Sequence, residues 1–258
     1  MSTDAIYPVL ITRDAATTIE QTLRSLAAFP EVIVYDNGST DDTVERCRQF
    51  PNVKVAQGEF FGYGPTKNHA VSLARGDWVL SIDADEYLSE ALLNELRETK
   101  LDDPSIAYVL DRHNLLLGKD IRYGGVGNDW LVRLFNRRRC RFTDAAVHEK
   151  VIVPPDCRTV RLRSPLWHQA CTDLDQMLKK ISYYSELNRR IGAPTHSALN
   201  IWVRSFWSFF KSYVLKRGFL EGWRGIVIAH GDAMGTFFKH IKRYADKAVE
   251  TEQRELPK

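Results

Sequence analysis

The chain has 258 residues, 44% of them hydrophobic and 27% charged, with 36 Lys and Arg against 33 Asp and Glu. That composition excludes intrinsic disorder and fibrous repeats and suits one large domain, or a domain with an appendage. A net charge of +3 gives no ground for expecting a nucleic-acid partner. Cys47, Cys140, Cys157 and Cys171 are far apart with no C-x-x-C pair, so neither a zinc knuckle nor a disulfide framework is expected. Before Arg13 only Ile6 to Thr12 is apolar, and no run approaches the roughly 18 apolar residues of a bilayer span. The expectation is a cytoplasmic, enzyme-sized protein without signal peptide or transmembrane helix.

The first hundred residues alternate between two hydrophobic periods. Ile6 to Thr12 is a short run of strand type, and Thr17-Thr18-Ile19-Glu20 reads as a capping box opening a helix through Leu23 and Leu26. Glu31 to Asp36 (EVIVYD) predicts a strand ending on a carboxylate. DNGSTDD then predicts a turn with Ser39 or Thr40 as cap, and Thr40 to Phe50 a helix. Val53 to Ala56 predicts a third strand, and Pro65 to Arg75 a helix stopped by Gly76. Trp78 to Asp83 predicts a fourth strand, and Ser89 caps a helix running to Lys100. Strands alternating with helices in this way imply βαβ units and an α/β fold with a mostly parallel sheet flanked by helices.

From Ile106 to Pro165 the character changes. Short β-type runs (Ala107–Leu110, Leu131–Phe135, Lys150–Val153, Thr159–Leu162) lie among Gly, Pro, Asn and Arg, which predicts an antiparallel extension of the sheet plus loops. Gly124-Gly125-Val126-Gly127 precedes no helical pattern and reads as a flexible loop. From Asp173 the pattern is helical: Leu174 to Ile191, ended by Gly192-Ala193-Pro194, then Leu199 to Lys216, then a shorter, glycine-interrupted helix between Phe219 and Tyr244. The expected division is a catalytic α/β domain over 1–170 and a C-terminal helical appendage over 171–258.

In an open α/β sheet, ligands bind outside the carboxyl ends of the strands. The strand ends here carry Thr12-Arg13, Asp36 and Asp83-Ala84-Asp85-Glu86. Gathering Asp36, Asp83 and Asp85 on one rim costs electrostatic energy, which a cation or hydrogen-bond donors would offset. In the D-x-D one carboxylate can bind a divalent cation while the other holds a ribose hydroxyl or a water; hard oxygen ligands suit Mg²⁺ or Mn²⁺ shared with substrate phosphates. The same triplet also reads as an acidic turn that caps the next helix. Asp36 can accept hydrogen bonds from a nucleobase or ribose, or simply serve a well-capped βα turn. Neither G-x-G-x-x-G after the first strand nor G-x-x-x-x-G-K-[ST] occurs, so a dinucleotide cofactor and a P-loop are not expected.

Together these segments resemble a family. A first strand ending in ITR, then EVIVYDNGSTDDT, then GPTKNHAVSLARGDWVLSIDADE, is similar to the inverting glycosyltransferases of family 2, with a GT-A fold. NLLLGKDIRYGGVGNDWLVRLFNRRRCRFTDAAVHEKV and KRGFLEGWRG resemble the branch that adds glucose or a related sugar to the inner core of bacterial lipopolysaccharide. The resemblance implies a nucleotide-sugar donor, UDP-glucose above all, and a lipid-linked or oligosaccharide acceptor. It implies that Asp36 contacts the uridine, with Thr12 and Arg13 lining the same pocket. Lys67 and Asn68 would lie near the nucleotide; Lys67 screens phosphate charge unless it is a solvated helix lysine. Asp83 would face the ribose or the metal's water, and Asp85 would coordinate the metal. Where the wider family has a Glu-Asp or Asp-Asp base motif, this chain has His148-Glu149.

An inverting transfer needs a base for the acceptor hydroxyl. Glu149 occupies the family's base position and is the first choice, Asp129 beside the glycine loop the second, and Asp144 reads as a cap. His148 is a further metal ligand, a hydrogen-bond partner of the diphosphate, or a structural histidine. Arg133, alternating with apolar neighbours in WLVRLF, pairs with an acidic partner or a phosphate. Residues 200–243 carry eight Lys and Arg against Glu221 and Asp232, interleaved with aromatics at helical spacing. That helix fits an anionic membrane surface, packing on the catalytic domain, or a homo-oligomer contact. Two other functions compete: a sugar nucleotidyltransferase, disfavoured by the lack of a Gly- and Arg-rich phosphate loop, and a non-catalytic nucleotide-sugar-binding scaffold, which has no use for three strand-end carboxylates.

Overall fold

The computed structural model describes residues 2–127, 129–145, 147, 149–190 and 195–255. The chain divides into two compact units, Met1–His113 with Asp129–Gln169, and Asn114–Asn128 with Ala170–Lys258.

In chain order the first unit runs β1 (Ile6–Thr12), α1 (Ile19–Ser25), β2 (Val32–Asp36), α2 (Thr43–Arg48), β3 (Val53–Gln57), α3 (Tyr63–Ser72), β4 (Trp78–Ser81), β5 (Glu86–Leu88) and α4 (Glu90–Glu98). Next come β6 (Ile106–Leu116) and β7 (Lys119–Ile121), of which β7 and the end of β6 belong to the second unit. The chain returns through β8 (Asp129–Asn136), β9 (Arg141–Phe142), β10 (Val151–Ile152) and β11 (Arg158–Cys171). The sheet order is β3-β2-β1-β4-β8-β6-β11-β5. β1, β2, β3 and β4 are mutually parallel; β8 pairs antiparallel with both β4 and β6, β11 lies beside β6, and β5 pairs antiparallel with β11, while β9 and β10 form a separate antiparallel pair. This is the mostly parallel sheet with an antiparallel extension that the hydrophobic periods predict.

β1, β2 and β4 are almost wholly apolar because both faces of the sheet are covered there, while the edge strand β3 carries exposed Lys54 and Gln57. Ile6, Leu10, Val32, Val34, Trp78 and Leu80 join one core with Leu23 of α1 and Leu92 and Leu96 of α4. The intervening Val9, Ile33, Tyr35 and Val79 join a second core with Ala70 and Val71 of α3. Since alternate residues of a strand point to opposite faces, each strand feeds both cores. The parallel register sets Thr12 opposite Asp36 and ends β4 at Ser81, opposite Val9, so the chain delivers Thr12, Asp36 and Asp83 to one rim.

Several local expectations are corrected. The predicted capping box does not form: α1 starts after Thr18, whose hydroxyl donates to the Ala15 carbonyl, and Glu20 pairs with Arg24 and Arg46. Ser39 and Thr40 do not cap α2; Asp41 takes the Thr43 amide, Ser39 turns back to Asp36, and Thr40 binds Asp14. Ser89 does cap α4, accepting from the Leu92 amide at 3.0 Å.

The second unit holds α5 (Leu174–Arg190), α6 (Ala198–Phe210) and α7 (Trp223–Glu255), with a π-helical turn over Lys211–Leu215 and a 3-10 turn over Gly218–Glu221. The last helix is neither short nor interrupted: it continues for 33 residues through Gly225, Gly231 and Gly235. The glycine segment expected to be a flexible loop is tied down. The Gly124 amide donates to the Lys216 carbonyl at 2.9 Å, and a Cβ at Gly125 would lie 1.9 Å from Asp232 Oδ2. Residues Gly192, Ala193 and Pro194, expected to break a helix, lie outside the described residues.

One glycine fixes how α3 docks. A Cβ at Gly64 would lie 1.8 Å from the Thr143 carbonyl oxygen, and the Gly64 amide donates to the Ala145 carbonyl at 3.1 Å. Helix propensity alone would make Gly64→Ala stabilising by about 1 kcal/mol. The clash should reverse that sign, costing roughly 1–3 kcal/mol of backbone displacement. Urea denaturation of the variant measures which effect wins; a midpoint at or above wild type would refute the docking.

Candidate functional site

The site is assembled in the first unit from side chains far apart in sequence. Its anchor is Glu86, at the start of β5, which has no solvent exposure. Its Oε2 accepts the Asp83 amide at 3.0 Å, and its Oε1 lies 2.5 Å from Arg133 of β8 and 3.3 Å from Arg112 of β6. Arg133 is itself buried and places the same Nη2 2.7 Å from Asp83 Oδ2. The other oxygen of Asp83 meets Lys67 Nζ at 2.7 Å, and Lys67 meets Glu149 Oε1 at 2.7 Å. Arg112 closes the far end on Asp129 at 2.6 Å. Three cations (Lys67, Arg112, Arg133) therefore alternate with four carboxylates (Asp83, Glu86, Asp129, Glu149) in one connected network.

The electrostatics follow from that alternation. Burial of Asp83 favours its neutral form, but Arg133 and Lys67 outweigh burial and hold the carboxyl well below its ordinary range. Burial opposes the charge on Lys67, yet Asp83 and Glu149 raise its pKa despite the nearby Arg133. Arg133 shifts upward for the same reason, its burial overcome by Asp83 and Glu86. Lys67 is 6% exposed, so it is not a solvated helix lysine.

Asp85 is treated differently from Asp83. Its Oδ2 lies 3.3 Å from Nε2 of His168 on β11, and its side chain keeps 32% of its exposure. The D-x-D thus splits into one carboxylate consumed by chain cations and one that faces solvent beside an imidazole.

At the first strand ends Asp36 is buried and accepts the Gly38 and Ser39 amides at 3.3 Å, the Ser39 hydroxyl, and Gln57 Nε2 at 3.4 Å. Thr12, paired with it in register, has a buried hydroxyl without a hydrogen-bond partner among the described residues. Arg13 is exposed and lies 3.7 Å from Asp14. Asn68 clamps β9: its amide donates to the Phe142 carbonyl at 3.0 Å and accepts the Phe142 amide at 2.8 Å. Asp144 pairs with Arg141, and His148 lies outside the described residues.

Sequence reasoning thus singled out Asp83, Lys67 and Glu149, which the structure joins, and paired Arg133 with acids. It missed Glu86, Arg112 and His168. The available signal was weak: Arg112 lies in a run of polar residues after Tyr108-Val109-Leu110, and His168 follows Leu166-Trp167.

Residues 9–168 match the model of the family described as "Glycosyl transferase family 2". The chain belongs to glycosyl transferase family 2. This sets aside the nucleotidyltransferase reading, and membership makes the chain a glycosyltransferase. It is 28% identical over 254 residues, 93% of this chain and 89% of the relative, to an uncharacterized glycosyltransferase of Rickettsia felis. Over 62% of each chain it is 26% identical to the lipopolysaccharide core biosynthesis glycosyltransferase LpsC of Rhizobium meliloti. Among solved structures it aligns with S. aureus TarS in complex with UDP-GlcNAc, at 16% identity over 94% of this chain and 91% of that one, TM-score 0.45.

The family 2 chain should be most sensitive where the network is driest. Arg133→Met strands Glu86 without its shortest partner and weakens the hold on Asp83, at a cost of about 3–5 kcal/mol. The depressed Asp83 also sets a pH dependence. Its contribution is complete above the unfolded carboxyl pKa of about 3.9 and is lost as pH falls below it toward the lower folded value. Melting curves from pH 7 downward should show the wild type losing stability in that acid range and Asp83→Asn losing less. An unchanged acid limb in Asp83→Asn would show that the carboxylate is not held by its cations.

Proposed function

We propose that this family 2 enzyme transfers a hexosyl residue with inversion from a nucleotide-sugar, UDP-glucose the favoured donor, to lipopolysaccharide core or a related glycan. The observation that carries the site assignment is Lys67, which bridges Asp83 and Glu149 at 2.7 Å each. A donor-side carboxylate and a carboxylate able to accept a proton are thereby set within one ammonium of each other. The acceptor class is supported by the name of the Rhizobium meliloti relative LpsC and by the resemblance of the C-terminal motifs.

Thr12 and Asp36 line the nucleoside end, the Thr12 hydroxyl being the polar atom that the fold leaves for a ligand. Arg13 and Lys67 supply positive charge for a diphosphate. Glu149 takes the proton from the acceptor hydroxyl, and Asp129, on Arg112, is the second choice for that role. A diphosphate bound by Lys67 would compete with Glu149 for the same ammonium, which couples the donor end to the base. Asn68 acts by holding Phe142 in place.

The residues fit a divalent cation as a shared ligand set. Among the described residues no group of three or more His, Cys, Asp or Glu is arranged to hold a metal by itself. Asp85 with His168 beside it suits Mg²⁺ or Mn²⁺, which complete their shells from substrate phosphates and water. Such an ion supplies Lewis-acid stabilisation of the leaving diphosphate, worth several kcal/mol. Asp85→Ala and Glu149→Gln should both abolish UDP release in the presence of acceptor, Glu149→Gln by about 10²–10⁴-fold with UDP-glucose binding retained. Wild-type turnover in Glu149→Gln would transfer the role to Asp129, and nucleotide binding without turnover in the wild type would leave a scaffold.

The helical unit adds a surface for anionic lipid. No helix among the described residues is long and apolar enough to cross a membrane. Trp202, Phe206 and Trp207 of α6 are 62%, 57% and 54% exposed, and Phe219, Leu220 and Trp223 continue the patch. Arg204, Lys211, Lys216, Arg217 and Arg224 are interleaved with them. The intervening acid Glu221 is buried, taken by Lys119 and the Arg122 and Tyr123 amides, so the outward charge is basic. Aromatic and basic side chains together suit a bilayer interface. The protein should float with phosphatidylglycerol vesicles at low salt, less so as salt rises and less in Trp202→Ser/Trp207→Ser. Protein that stays at the bottom at low salt and sediments as a dimer would give the face to a second copy.

A further inference from the structure

A groove in the second unit lies apart from the aromatic face. α5 and α7 run side by side in the same direction: Met177 lies against Gly231, Lys242 bonds Ser185, and Arg189 forms a bidentate pair with Asp246. Between them is a cavity of about 520 Å³, bounded below by the β6–β7 hairpin. A volume of this size falls in the roughly 300–1,000 Å³ range of small-molecule sites. Glycine makes room for it on the α7 side: a Cβ at Gly235 would meet no atom within 4 Å.

The lining is graded along the helices. At one end Leu116, Ile121, Met177 and Ile228 are apolar, three of them in the small core of this unit and Met177 packed against it. At the other end stand Ser185, Asn188, Thr236 and Lys239. Thr236, Lys239 and Arg243 follow at three- and four-residue spacing, so the same face of α7 carries Arg243 one turn beyond the cavity lining.

Arg243 is the decisive residue. It is 6% exposed, and among the described residues none of its three guanidinium nitrogens has a hydrogen-bond partner. Its neighbours add positive charge rather than offset it. His240 has a buried Nδ1 without a partner among the described residues and a ring 5.0 Å from that of His196, and its pKa is lowered by burial and by His196, Lys239, Arg204 and Arg243. The nearby acids are committed elsewhere, Asp246 to Arg189 and Glu186 to Arg189 and Lys242. Arginine cannot shed its charge, and a buried unpaired charge costs several kcal/mol. The other carboxylate of the cavity, Asp232, is at the apolar end against Gly125, where burial raises its pKa.

We propose that this groove binds an anionic single-chain amphiphile, with its aliphatic chain along the Leu116–Met177–Ile228 end and its phosphate-type head on Lys239 and Arg243. The head matches the guanidinium fork, which favours bidentate phosphate or carboxylate. The chain matches a lining with few polar groups. This site is independent of the donor and acceptor assigned to the first unit.

The test uses the full chain and oleoyl lysophosphatidate below its micelle concentration, with inorganic phosphate and oleoyl lysophosphatidylcholine as the head-only and neutral-chain probes. Lysophosphatidate should bind with one-to-one stoichiometry by titration calorimetry and raise Tm, because a ligand of the folded state stabilises it by mass action. Gly235→Leu, whose Cβ enters open space beside the cavity, should keep Tm while weakening binding at least about tenfold. Arg243→Met should raise the Tm of the unliganded protein, since it removes an uncompensated buried charge, and weaken binding by a similar factor. A structural arginine would show the opposite, a lower Tm. The proposal fails if inorganic phosphate alone gives the same rise, which would make this an anion site only. It fails equally if the neutral lipid binds as tightly or if Gly235→Leu binds like the wild type.

Discussion

The architecture of the candidate site depends on one constraint, the burial of the Glu86 carboxylate. A fully desolvated carboxylate is tolerable only if its lone pairs are met by cations and amides. Meeting them requires Arg133 from β8 and Arg112 from β6, so two antiparallel strands are fastened at the carboxyl ends of the parallel ones. Arg133 in turn needs a second anion and takes Asp83; Asp83 has a further oxygen and takes Lys67; Lys67 reaches Glu149. Each pairing follows from the previous one. The result positions a carboxylate on the far side of the rim from the strand that set the chain in motion.

This chain of pairings also explains why two aspartates in one triplet differ. Asp83 cannot leave its cations without stranding buried charge, which suits a group that must hold its place as a donor arrives. Asp85 lies instead beside the His168 imidazole and keeps a third of its side chain exposed. A strand-end cluster of acids is therefore stabilised in two ways: the chain's own cations carry Asp83, and backbone amides carry Asp36.

The parallel half of the fold was legible because its strands are buried on both faces and its helices repeat at the expected intervals, so periodicity carries the information. The candidate site was legible where its residues sit in local motifs, at Asp36 and Asp83-Ala84-Asp85. Glu86 was not, since its value comes from an arginine 47 residues away and an acid after D-x-D reads as ordinary turn chemistry. The last helix was misjudged for a related reason. Glycine costs about 1 kcal/mol in a helix, which suggests interruption. At Gly225 a Cβ would lie 1.8 Å from the Gly218 carbonyl, so tertiary contact requires the glycine and the helix runs through it.

The two buried arginines show what the fold does with charge under different demands. Arg133 is enclosed with two carboxylates, and its burial binds strands together. Arg243 is enclosed to a similar degree near Lys239, His240 and Arg204, with its nitrogens unmet among the described residues. Selection for stability alone would replace such a residue with an apolar one, because a well-packed methionine or leucine removes the desolvation cost. Retaining a cation there makes physical sense when its counter-charge arrives from outside the chain. The same asymmetry runs through the helical unit, where Glu221 is turned inward against Lys119 while the basic residues of α6 and its turns are left outward. Charge in that unit is arranged for anions, which the near-neutral total of the whole sequence conceals.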